Sequence, residues 1–309
     1  MIALPSMRQL RYLIAVGHYL NFTKAAEHCF VSQSTLSAGL KELEDSLGIQ
    51  LIERDRQNVS VTPIGLEMIA RAKQLLASAE DMVEYAKAAS QAMTGTIRLG
   101  AIPTIAPFVL PQILPVIRER YPHLKIALRE DLSANLVQKI HEHQLDFAII
   151  ALPYETDGLL VKELYGDEFW LTAKPDDQAL AGKTVTVPAK MAERLLLLEE
   201  GHCLREHSLR ACRRSETANV DGLEATSLLT LVQMADSGLG IALLPEMAIR
   251  NDILKNTDLI ARPLAAPAPK RGIALIARQT TSRIEEFLAI AKVMLDVHQA
   301  SQVKPLAKQ

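Results

Sequence analysis

From residue 22 onwards, apolar positions recur at helical spacing in two short runs. In "FTKAAEHC" the residues Phe22, Ala25, Ala26 and Cys29 make a short apolar face. After the tight "FVSQ" connection, Leu36, Leu40, Leu43 and Leu47 step by four, three and four, which is one face of a second helix. Ser32 is placed to cap that helix and Gly48 to end it. Two short helices across a tight turn predict a helix-turn-helix, and "LIERDRQNVSVTPIG" behind them predicts a short two-stranded wing. Pro63 then opens one long helix, over about residues 63–93. Along it Ile69, Ala72, Leu76, Ala79, Val83 and Ala86 alternate steps of three and four, the a/d seam of a two-chain coiled coil. A helix packed on its own domain is the competing reading.

The period changes after "MTGT" at 93–96. Short strand patterns follow: "TIRLGA" (96–101), "KIALRE" (125–130), "LDFAIIA" (145–151), "EFWLTA" (168–173), "LLLLEE" (195–200), "GIALLP" (240–245) and "GIALIA" (272–277). Helical stretches lie between them, at 107–120, 133–143 and 226–237. The alternation predicts an α/β fold with parallel sheets and helices on both faces, whose ligands bind beyond the carboxyl ends of strands. No glycine-rich phosphate loop occurs, so no nucleotide and no other cofactor is expected. The last helix, about 282–297, is expected to pack back on the first of two subdomains.

Composition narrows the class. A chain of 309 residues suffices for two or three domains. With 49% hydrophobic and 23% charged residues it is ordinary for a soluble protein. No apolar stretch approaches the roughly 18–20 residues that span a bilayer, so no membrane partner is expected. "MIALPSMRQLRYL" lacks the layout of a secretory signal. Three cysteines do not suit a secreted disulfide framework. The expectation is a cytoplasmic protein in which any disulfide is transient and regulatory.

The net charge of −2 advertises no polyanionic partner. Within residues 1–62, Arg8, Arg11, Lys24, Lys41, Arg54 and Arg56 are balanced by Glu27, Glu42, Glu44, Asp45, Glu53 and Asp55. The case for promoter double-stranded DNA therefore rests on the motif. The polar side of the second helix carries Ser32, Gln33, Ser34, Thr35, Ser37 and Lys41. Gln pairs bidentately with adenine, hydroxyls reach bases or phosphates, and Arg54 and Arg56 of the wing suit flanking phosphates. A helical hairpin with a solvated polar face remains the plain alternative. A dimerising helix behind it would let two recognition helices read two half-sites.

"EEGHCLREHSLRAC" (199–212) holds two of the three cysteines, nine residues apart. That spacing suits neither a metal site nor a permanent staple. His141 and His143 form no metal motif, and no serine–histidine–aspartate triad is supported by the spacing.

"FTKAAEHCFVSQSTLSAGLKELEDSLGIQLIERDRQNVSVTPIG" resembles the winged helix-turn-helix of LysR-type transcriptional regulators, and the likeness covers essentially the whole chain. "HCLRE" with a cysteine nine residues on, together with "EATSLLTLVQMADSGLGIALLPE", resembles the hydrogen peroxide-sensing OxyR branch of that family. The resemblance implies a winged helix-turn-helix over 1–62, a dimerising linker helix over 63–93 and a periplasmic-binding-protein-like regulatory domain over 94–309. Its two α/β subdomains would be about 94–168 plus 270–300, and about 169–269. It also implies a homodimer or homotetramer that is not an enzyme, controls antioxidant genes, contacts RNA polymerase and is reset by a thiol-reducing system. Cys203 would correspond to the peroxidatic cysteine and Cys212 to its resolving partner. Arg129 and Ser133 stand where the family has His and Thr, and Thr226 is a further pocket hydroxyl.

An ordinary cysteine has a pKa of about 8.5, and the thiolate is the nucleophile. Cys203 follows a strand and starts a helix, whose dipole favours an anion. Arg205 adds a charge, and His202 a hydrogen bond or a charge. These features are expected to lower the thiol pKa, while Thr104 and Ser133 orient the peroxide. If 203–212 were one helix, its ends would lie ~13 Å apart and on opposite faces. A disulfide needs Cα atoms within roughly 7 Å, so the helix must open first. Two inert buried thiols are the plain alternative. The rival functions are a LysR-type regulator induced by a small metabolite, with Thr104, Ser133, Thr226 and Ser227 as its anion-binding hydroxyls, and a thiol peroxidase.

Overall fold

A computed structural model describes residues 4–54, 58–88, 93–180, 182–186, 193–211 and 223–302. The chain divides into two compact units, Met1–Ala89 and Ser90–Gln309.

In the first unit, α1 (Met7–Tyr19), α2 (Phe22–His28) and α3 (Gln33–Leu47) are followed by the wing strands β1 (Ile52–Arg54) and β2 (Val59–Val61), then by α4 (Pro63–Ala88). The ends of α3 follow from its sequence. Ser32 Oγ accepts from the Thr35 amide at the N-terminus, and Gly48 adopts a left-handed φ of 67° at the C-terminus. Leu36, Leu40 and Leu43 are fully buried against Leu13, Val16 and Ala25. Glu44 Oε1 accepts from the amides of Leu51 and Ile52 at 2.7 and 3.0 Å, which ties the wing to α3.

The seam expected along α4 is in part covered within the first unit itself. Ile69 and Ala72 are buried, and Ile69 belongs to the core of the first unit, because α4 begins by packing on α1. Further along, Val83 is 49% exposed, and Leu75 and Met82 are also exposed.

The second unit begins with β3 (Gly95–Ala101), α5 (Ala106–Arg120), β4 (Leu124–Glu130), α6 (Ser133–His141), β5 (Phe147–Leu152) and β6 (Leu159–Ala173). It continues with β7 (Leu197–Leu198), α7 (Cys203–Ala211), β8 (Glu224–Ala225), α8 (Leu228–Asp236), β9 (Ala242–Pro245), α9 (Glu246–Arg250), β10 (Ile260–Pro263), β11 (Lys270–Arg278) and α10 (Ile284–Gln302). One sheet runs β10-β6-β11-β5-β3-β4, with β9 also paired to β6. The expected parallel sheet is present only in part. β3 pairs parallel with β4 and β5, and β7 with β8, whereas β11 runs antiparallel to both β5 and β6. The reason is topological: β6 carries the chain out of the first lobe and β11 brings it back, so the two connections must run in opposite senses.

Each lobe has its own core. Ile97, Leu99, Ile113, Phe147, Ile149 and Leu275 anchor the first, onto which Phe287, Ile290 and Met294 of α10 pack as expected. Phe169, Leu171, Leu196, Val232, Leu243 and Leu244 anchor the second. Cys203 crosses this division. It is the only buried residue between 160 and 272, among those described, that belongs to the first lobe's core.

Candidate redox site and nucleic-acid interface

The second lobe delivers Cys203 through a constrained turn. Gly201 has φ 93°, and a Cβ there would stand 3.0 Å from Leu132 Cδ1, so glycine alone fits without displacing that side chain. Two residues on, Cys203 opens α7 and is 7% exposed. Ser133 opens α6 and is still more deeply buried, at 1% exposed. Its hydroxyl has no partner of standard hydrogen-bond geometry among the described residues, but it lies beside the thiol and favours the thiolate.

Arg271, at the start of β11, supplies the cation that acts on the sulfur. Its side chain is fully buried. Nε donates to Asp167 Oδ2 at 3.0 Å, Nη1 to Thr104 Oγ1 at 2.9 Å, and Nη2 to the Thr104 carbonyl at 3.1 Å. Nη2 also points at Met247 Sδ, 3.7 Å away. Burial pushes the Asp167 carboxyl up, and Arg271 opposes that shift.

The net effect on Cys203 corrects the sequence expectation: its pKa is raised. Desolvation in an apolar core is the dominant cause, and Arg271, Ser133 and the Leu204 amide oppose it. The helix N-terminus and a cation are therefore both at work, but burial outweighs them. Nor does His202 carry charge at neutral pH, because its own burial lowers its pKa. Arg205 turns to Glu224 Oε1 at 2.7 Å and to the Leu198 carbonyl at 2.9 Å, joining α7 to β7 and β8.

Of the sequence-derived residues, Ser133 meets Cys203 directly, Thr104 is tied to it through Arg271, and His202 is adjacent in the chain. Arg129 is exposed and paired with Asp131 at 3.2 Å, and Thr226 is exposed. Cys212 lies outside the described residues. Sequence reasoning missed Arg271, Asp167, Met247 and His207. His207, one turn after Cys203, places Nε2 3.3 Å from the Pro153 carbonyl, and burial lowers its pKa to about 4. An arginine at the head of the buried run "GIALIA" was the available signal, since a charge there requires a partner.

In the first unit, Ser32, Gln33, Ser34, Thr35 and Lys41 are exposed on α3. Thr23 Oγ1 donates to Gln33 Oε1 at 3.3 Å. Arg54 lies over the Phe22 ring, 4.1 Å from its centroid, and donates to Ser37 Oγ at 2.8 Å. Arg56 lies outside the described residues.

A winged helix-turn-helix unit joined to a two-lobed α/β unit defines a DNA-binding regulator with a sensor domain. The chain matches the lysR-family bacterial regulatory helix-turn-helix over residues 7–66 and the LysR substrate binding domain over 90–297. It belongs to the LysR family of transcriptional regulators. It is 43% identical over 295 residues to the HTH-type transcriptional regulator EstR of Acinetobacter baylyi, covering 95% of this chain and 97% of that one. It is 33% identical over 297 residues to the DNA-binding transcriptional dual regulator OxyR of Escherichia coli, again covering 95% and 97%. Among solved structures, a full-length cysteine-to-aspartate variant of Pseudomonas aeruginosa OxyR superposes with a TM-score of 0.74 at 30% identity, covering 99% of this chain and all of that one. A hydrogen peroxide-bound, cysteine-to-serine variant of Corynebacterium glutamicum OxyR gives 0.65 at 33%, covering 97% and 95%. The resemblance to the OxyR branch is thus met along the whole chain.

Proposed function

We propose that the protein is a peroxide-responsive transcriptional regulator of antioxidant genes, with Cys203 as its sensing residue. The observation that carries this is that Arg271, itself held by Thr104, and Ser133 both act on a cysteine at the first position of α7. The Cys203 sulfur attacks one peroxide oxygen, the O–O bond breaks and water leaves, giving a sulfenic acid. The Cys212 thiol then displaces a second water and forms the disulfide. Two thiols together reduce one peroxide, and a cellular dithiol returns the two electrons.

The helix supports a switch rather than a static bond. Eight steps at about 1.5 Å separate Cys203 from Ala211 by roughly 12 Å, beyond disulfide reach, so joining Cys203 to the residue after Ala211 needs α7 opened. The DNA contacts would come from Ser32, Gln33, Ser34, Thr35, Ser37 and Lys41 on α3, with Arg54 and Arg56 on phosphates. The uncovered side of α4 supports pairing with a second copy, within a dimer or tetramer. Such a protein works in the cytoplasm, engages RNA polymerase and needs one oxidation per signal rather than turnover.

The test is equimolar hydrogen peroxide added to the reduced protein, with cysteines mapped by mass spectrometry. A rapid Cys203–Cys212 disulfide that is lost in Cys203→Ser is expected. Both thiols remaining free would overturn the reading in favour of a regulator answering a small metabolite.

A further inference from the structure

The second unit holds a cavity of about 640 Å³ beneath α5, between β6, α9, β10 and α10. Its size is that of a small-molecule site. Phe108, Val109, Trp170, Met247, Ile249 and Met294 give it apolar walls. The charged groups on its wall are mostly satisfied. Asp167 is neutralised by Arg271, and Glu246 pairs with Arg250 at 2.7 Å. Arg262 differs. It is half-buried on the cavity wall, and its guanidinium donates to the neighbouring Ala261 carbonyl, with no acidic partner among the described residues. A partly desolvated cation beside an apolar hollow suits an anion with an apolar body.

We propose that this cavity binds a small monocarboxylate, its carboxylate on Arg262 and its body against Trp170, Phe108 and Met247, as a second input to the regulator. Two of the wall residues lead to the thiol. Asp167 and Met247 both line the cavity and both touch Arg271, the cation acting on Cys203. An occupant pressing on either one shifts the guanidinium and so the reactivity of the sulfur. The binding stands apart from the peroxide reading, whereas the coupling rests on it.

Trp170 is the only tryptophan in the chain, so intrinsic fluorescence reports this cavity directly. The experiment titrates the reduced full-length protein with phenylacetate and with hexanoate, using sodium chloride at matched ionic strength as the control. Expected are a saturable fluorescence change with either carboxylate, none with chloride, and binding weaker by about tenfold or more in Arg262→Gln. Lys125→Gln, at an exposed position on β4 away from the cavity, is expected to bind as the parent does and reports on the fold. No saturable change, or equal binding by Arg262→Gln, overturns the site. The rate of Cys203 oxidation by peroxide, measured with and without saturating phenylacetate, reads the coupling. A severalfold change that vanishes in Arg262→Gln supports it, and an unchanged rate despite binding overturns it. Failure of Cys203 to oxidise under either condition removes the peroxide reading while leaving the fluorescence result intact.

Discussion

Arg271 and Asp167 form an ion pair at 3.0 Å in which the two side chains are 0% and 3% exposed. The pair does two separable things. It satisfies a buried charge, and it holds a guanidinium on Thr104, near enough to act electrostatically on the Cys203 sulfur. Removing one partner of such a pair leaves the other charged and dry, at a cost of about 3–5 kcal/mol.

Arg271→Gln is therefore expected to lower stability by about that amount in urea unfolding. It should also slow peroxide oxidation of Cys203 at neutral pH by ~10-fold, the effect of one unit in thiol pKa. Asp167→Asn combined with Arg271→Gln separates the roles. Stability should largely return, while stopped-flow oxidation should stay slow. Recovery of both would make the arginine merely structural.

Acid should loosen α7. Burial holds His207 at a pKa of about 4, against the ordinary 6.5, and Arg271 and Arg210 add to the depression while the Pro153 carbonyl opposes it. The packed helix thus excludes a proton that an opened helix binds. Above pH 6.5 this costs nothing. As pH falls from 6.5 towards 4 the packed form loses stability progressively, by about 3 kcal/mol in all. His202, shifted in the same direction, adds to the trend. Hydrogen-exchange protection of the α7 amides, taken after correction for the intrinsic exchange rate at each pH, should be lower at pH 5.5 than at pH 7.5 by about tenfold, and His207→Gln should flatten most of the difference.

Arg54 is held by the Phe22 ring and Ser37, so its guanidinium is presented from one fixed place beside α3. Arg54→Ala should weaken promoter binding across sequences and reduce the magnitude of the salt-dependence slope by about one. A lowered melting temperature with an unchanged slope would instead make the arginine a staple between the wing and α2.

The parts legible in the sequence were those set by local rules. Ser32 and Gly48 bracket α3 because capping and left-handed geometry are decided within a few residues, and Pro63 opens α4 for the same reason. At Ile69 and Ala72 the seam of α4 is buried within its own unit, the competing reading, since periodicity shows which face is apolar but not what covers it. The first half of β6 was missed, where Lys162 and Glu163 interrupt any apolar run and pairing with β11 makes the strand. At the site, Cys203 and Ser133 were readable from short motifs. Arg271 was not, because it arrives from the far end of the chain through an antiparallel return that the alternation of strand and helix did not suggest. The pKa argument reversed for a different reason, burial: the sequence offered neighbours of Cys203 but not the depth at which the sulfur lies.

The placement of Cys203 in the other lobe's core makes the first oxygen atom a wedge. A thiol is small and nearly apolar, so Cys203 belongs to the same core cluster as Leu136, Phe147 and Ile149. A sulfenic acid is larger, and in a site packed closely around the thiol the added oxygen must displace a neighbour or leave. The eviction begins with the chemistry itself, before any second cysteine is engaged. With Cys203 as the proposed sensing residue, the fold would turn a change of one atom into a loss of fit between lobes, and a disulfide to Cys212 would be the catch that keeps the door from swinging back.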